Sequence, residues 1–82
     1  MKIQLIEGQF SAKDALEIIT QLVHTKIKFH ENKINNLSSE EDIKSREEKI
    51  KRLQKNLYEI RKYIETTTNK ITISSIIDLA SA

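Results

Sequence analysis

A heptad run in the second half of the chain constrains its fold more than any other feature. Ile43, Ile50, Leu57 and Ile64 recur every seven residues, Leu53 and Ile60 stand three further on in their heptads, and Lys, Arg and Glu fill most positions between. Apolar residues at alternating spacings of three and four give a helix one narrow stripe. A stripe this narrow matches the seam of a coiled coil rather than the face of a helix lying on a broad core. It needs a second helix alongside it.

The preceding segment supplies that helix. Ser11 followed three residues later by Asp14 resembles a capping box with Asp in place of Glu, and the Asn35-Asn36 pair is the first credible stop, which predicts a helix over 12–36. At 100° per residue, Ala12, Leu16, Ile19, Val23, Ile27, His30, Ile34 and Leu37 fall on one stripe, and Ala15, Ile18, Leu22 and Phe29 on a second beside it. Ser38 or Ser39, ahead of Glu40, Glu41 and Asp42, caps the next helix and places acid at the positive end of its dipole, so that helix is predicted over 39–66. A link this short between two long helices makes an antiparallel hairpin. With the turn centred near Leu37, Ile34 comes beside Ile43, Ile27 beside Ile50, Ile19 beside Leu57 and Leu16 beside Ile60.

The ends of the chain read as strands. Over 2–7, Ile3 and Leu5 alternate with Lys2, Gln4 and Ile6 until Gly8 interrupts, and over 70–75, Ile71 and Ile73 alternate with Thr72 and Ser74. Thr66-Thr67-Thr68-Asn69 ends the second helix, since three β-branched residues precede an Asn that accepts the left-handed conformation. Residues 76–82 admit two readings: a single helical turn capped by Ser75 and Asp78, or a strand continued through Ile77. Both strands adjoin the open end of the hairpin and run in opposite directions, so they pair antiparallel. The fold class is therefore mainly α: one domain over 1–82, a coiled-coil-like two-helix hairpin with a short β-strand at each terminus, in the order β-α-α-β.

Composition narrows the function classes. Fourteen basic against twelve acidic residues leave a formal charge of +2, too balanced to argue by itself for a nucleic-acid or membrane partner. The absence of Cys excludes disulfides and thiolate metal sites. No apolar run reaches the length of a membrane span, and residues 1–10 lack the pattern of a secretory signal, so a cytoplasmic protein without a membrane partner is expected. No carboxylate pair is held by an identifiable scaffold and no Gly-rich loop follows a strand to cradle phosphate. Neither enzymatic activity nor a cofactor is expected.

Three groups of residues remain as candidates. His30 lies on the inner stripe, where the register brings it near Arg46 and Glu47; it is either a partly exposed side chain near the hairpin tip or a member of a polar layer, with Glu47 or linked through water, that fixes the helix register, whereas one or two ligands do not make a metal site. Ile18, Leu22 and Phe29 are left over once the hairpin seam is filled, which predicts a homodimer, most simply a four-helix bundle in which the first helices meet. Lys51, Arg52, Lys55 and Lys62 lie off the seam of the second helix and are available to phosphates. Glu47, Glu48 and Glu59 are interleaved with them, the pattern of a solvated face. The expectation is a small non-catalytic interaction, adaptor or structural protein, with a nucleic-acid-binding regulator as the alternative.

Overall fold

A computed structural model describes residues 1–36, 39–67 and 69–82. Four elements follow in the expected order: β1 (Lys2–Phe10), α1 (Ala12–Ile34), α2 (Glu40–Glu65) and β2 (Ile71–Asp78). The two helices pack side by side as a hairpin and the two strands form one antiparallel ribbon. Leu37, placed on the inner stripe and at the centre of the turn, Ser38 as a cap, and Thr68 in the threonine run lie outside the described residues.

The helix ends show how far local chemistry sets the boundaries. Ser11 is extended, and its hydroxyl accepts a hydrogen bond from the Asp14 amide at 3.1 Å, the expected N-cap of α1. Ser39 occupies the equivalent position before α2 in extended conformation but makes no side-chain cap bond, so Glu40, Glu41 and Asp42 remain the favourable feature of that terminus. At the other end of α2, the Thr66 and Thr67 hydroxyls both donate to the Tyr63 carbonyl at 2.9 Å. The left-handed Asn69 is not found: no residue other than glycine has positive φ among the described residues. The threonine hydroxyls, turned back onto the last helical turn, satisfy a carbonyl and make a left-handed exit unnecessary.

The ribbon is longer than the sequence pattern suggested. β1 runs through Gly8 to Phe10, and β2 runs on to Asp78 in place of a terminal helical turn. Its register pairs Phe10 with Ile71, Gly8 with Ile73, Ile6 with Ser75 and Ile3 with Ile77, with an irregularity between Gln4 and Ile6 that leaves Leu5 unpaired. Residues directly opposite share a face, so the bulge brings Ile3 and Ile6 onto one side together with Phe10, Ile71, Ile73 and Ile77. Simple alternation had put Ile3 and Ile6 on opposite faces. The Gln4 side-chain amide fills the gap in the ladder by donating to the Ile6 carbonyl at 2.8 Å and the Ser75 carbonyl at 3.2 Å. Gly8 adopts φ 150°, a region that side chains rarely enter, and so it shapes the strand from within rather than ending it.

The ribbon turns away from the hairpin axis. Placed end to end, α2 and the ribbon would span roughly 65–70 Å, whereas the longest dimension is 47 Å and the second 31 Å. The radius of gyration is 15.4 Å, against about 12 Å for a compact domain of this length. Among the described residues Ala15, Leu57 and Ile64 are the buried apolar ones, and the last two lie on the half of the seam nearer the ribbon.

The two caps make separable predictions. Ser11→Ala should lower the unfolding free energy by about 1 kcal/mol, whereas Ser39→Ala should change it by no more than a few tenths, since no cap bond is lost. Urea denaturation of the two variants measures the difference, and equal losses would contradict the cap assignment.

Candidate functional site: a buried histidine and the cationic cleft beside it

The seam carries one buried polar side chain, His30 of α1, which is 6% exposed. An Arg46 guanidinium nitrogen lies 2.8 Å from its Nδ1. Guanidinium has donors only, so Nδ1 is the acceptor and the imidazole proton belongs on Nε2. That nitrogen is buried and has no hydrogen-bond partner. Arg46 is held from a second side, its guanidinium carbon 5.6 Å from the centre of the Phe29 ring, while Phe29 meets His30 edge-on at 5.7 Å between ring centres. Burial, then the charge of Arg46, then those of Lys49 and Lys26, hold the His30 pKa below its ordinary value, so the ring is neutral at pH 7.

The structure therefore gives the polar layer a different second member. Glu47 is exposed, and Arg46 faces His30. One residue along a helix is a rotation of 100°, which suffices to turn Glu47 out to solvent when its neighbour points across the seam. The His30–Arg46 contact also has the offset proposed for Ile19 with Leu57 and Leu16 with Ile60, and it supports that register directly.

Beside His30 a cleft of about 350 Å³ opens between the helices, lined by Lys26 and His30 from α1 and by Lys49, Arg52, Leu53 and Asn56 from α2. Lys26 and His30 are four residues apart; Lys49, Arg52 and Asn56 are three and four apart, so each set forms one helix face. Reasoning from the sequence assigned neither Lys26 nor Lys49 to a site. The signal was present in those spacings but becomes legible only when the two faces are brought together.

The remaining candidates are distributed differently. Lys51, Arg52 and Lys55 share a shallow depression of about 250 Å³ with Glu48. Lys62 stands apart from them, its ammonium 4.9 Å from the centre of the Tyr58 ring. Ile18 is half-buried, while Leu22 and Phe29 are 43% and 53% exposed. Phe29 is not a bare surface ring, since Lys33 also lies 5.6 Å from its centre. Where α2 meets β2, an apolar groove of about 560 Å³ is lined by Ile19, Ile60, Tyr63, Ile64, Ile71 and Ile73, among others. Among the described residues no three His, Asp or Glu side chains converge to hold a metal, and no helix is long and apolar enough to cross a membrane. Comparison with protein-family models, with curated proteins and with solved structures gives no match.

The neutral histidine has a measurable consequence for stability. In the unfolded chain a histidine titrates near its model value of 6.5, and in the folded chain His30 titrates lower. Between those two values the unfolded state binds more protons, so stability is lost as pH falls below about 6.5 and is retained above it. Urea denaturation at pH 7.5, 6.5 and 5.5 should show this decline, and His30→Gln should flatten it. An unchanged decline in that variant would mean that other groups cause it.

Proposed function

We propose that the chain is a non-catalytic interaction protein that works as an assembly of at least two copies, joined through the outward stripe of α1. The observation that carries this reading is the exposed surface, 6758 Å². A compact monomer of 9.5 kDa would expose about 5,000 Å². The excess is roughly 1,700 Å², and an obligate homodimer typically covers about 1,000 Å² or more on each subunit. Among the described residues one copy buries three apolar side chains, and a second copy is the economical source of the missing core.

Ile18, Leu22 and Phe29 are suited to this contact because they lie within about 40° of one another around α1, beside the stripe that faces α2; Leu22 and Phe29 stay exposed even though Phe29 also meets Arg46. Two hairpins meeting there make a four-helix bundle, with the charged face of α2 left outward for a further protein partner. In this reading the protein is an adaptor or structural element, and its ribbon provides unpaired strand edges at the end of an elongated frame.

Binding of nucleic acid is a second reading, favoured by the grouping of Lys51, Arg52 and Lys55 in one depression. Glu48 in the same depression and the separation of Lys62 weigh against it. A gel shift with mixed DNA and RNA at low salt tests it, and no shift at tens of micromolar protein, where even non-specific binders associate, excludes it.

Light scattering coupled to size exclusion tests the assembly. The expected mass is at least twice the 9.5 kDa of one chain, and Leu22→Glu should reduce it to one chain by placing a charge at the centre of the contact. A parent protein that stays monomeric at hundreds of micromolar would overturn the proposal.

A further inference from the structure

We infer that the cleft bounded by Lys26, His30, Lys49 and Arg52 is a binding site for a small oxyanion of the phosphate class. The inference is independent of self-association. It starts from a hydrogen-bond deficit. His30 Nδ1 is occupied by Arg46, so Nε2 carries the proton, and it is buried without an acceptor. A buried donor left unpaired is costly enough that native structures almost always provide a partner. The partner that this nitrogen lacks must accept a hydrogen bond.

The surroundings specify the charge of that partner. Lys26, Lys49 and Arg52 bring three cationic side chains to one cleft, and no carboxylate lines it. A metal ion is unsuited to the site, because the available imidazole nitrogen is protonated and its neighbours are cations. A water molecule would satisfy the donor without engaging the three cations gathered around it. A phosphate-class oxyanion does both, since its oxygens accept from Nε2–H while its charge of about −2 at neutral pH is offset by the ammonium and guanidinium groups. Arg52 offers the paired donors that match two oxygens, and the two lysines act as mobile point charges.

Size and access are compatible with this ligand. The cleft of about 350 Å³ exceeds the volume of a tetrahedral oxyanion, and Asn56 adds a neutral amide to its wall. Nε2 is buried while the His30 side chain lines the cleft, so its engagement requires neighbouring side chains to move aside. Lys26 and Lys49 are exposed and long enough to do so by rotamer changes alone. The site also differs from the depression of Lys51 and Lys55. That depression includes Glu48 and offers no buried donor.

The test uses the full chain, labelled with ¹⁵N, titrated with inorganic phosphate at pH 7.5 against sodium chloride of matched ionic strength. The imidazole nitrogen signals of His30 should move along a saturating curve while those of His24 stay in place. Lys26→Gln and Lys49→Gln should each weaken binding by about two- to fivefold, the range expected for one solvent-screened charge contact, with helix content by circular dichroism unchanged. Lys51→Gln and Lys55→Gln should leave the curve where it was. The inference is overturned by a His30 signal that does not saturate or that moves in parallel with His24. Equal weakening by the Lys51 and Lys55 variants would overturn it too, because the effect would then be a general response to salt. Should a lysine variant fail to fold, the parent titration compared with the other lysine variant still decides the matter.

Discussion

The seam between α1 and α2 is the contact on which the rest of this structure depends. The heptad stripe of α2 is covered mainly by α1, whose answering stripe has the matching length and spacing. Burial along the seam is uneven. Leu57 and Ile64 are buried near the ribbon, whereas Ile43, Ile50 and Leu53, nearer the turn, are only half-covered. Closing the hairpin brings the end of β1 and the start of β2 together. A two-stranded ribbon is marginal in water by itself, so its pairing is a consequence of the helical contact rather than its cause.

One polar layer interrupts that seam, and its value lies in specificity. A seam of Ile and Leu repeating every seven residues tolerates sliding by a turn, because each apolar residue finds another of similar shape. The His30–Arg46 contact does not survive such a slip. The arrangement leaves the histidine neutral, with one nitrogen satisfied and the other lacking an acceptor, and it gathers cations from both helices on one side of the hairpin. The charged cleft opens directly beside the His30–Arg46 contact.

Much of this fold was legible in the sequence, for identifiable reasons. Heptads, the Ser11 cap and the alternation of Ile71 and Ile73 are local patterns, and local patterns placed all four elements in order. What escaped depends on contacts across the chain. The bulge at Leu5 puts Ile3 and Ile6 on the face that holds Phe10 and Ile73, and a strand read alone cannot reveal that. Gly8 looked like an end because its backbone freedom serves a turn and a twisted strand equally well. Arg46 is visible in the sequence as a neighbour of His30, but only the packed structure shows that it, rather than Glu47, faces the ring. Lys26 and Lys49 gain a shared setting only from the antiparallel packing, which puts them on either side of one cleft.

The central claim is that the hairpin closes within one chain in the register set by His30 and Arg46. Because the chain contains no cysteine, a single pair can be introduced at Lys26 and Lys49, which are exposed and line the same cleft from opposite helices. Spin labels on that pair should report a separation of roughly 10–20 Å, consistent with helix axes 8–10 Å apart plus the label arms. The dipolar signal should persist at full strength when the labelled protein is diluted into an excess of unlabelled chains before refolding. A signal that disappears on dilution would mean that α1 pairs with α2 of another chain, and a separation well beyond that range would mean that the register is wrong.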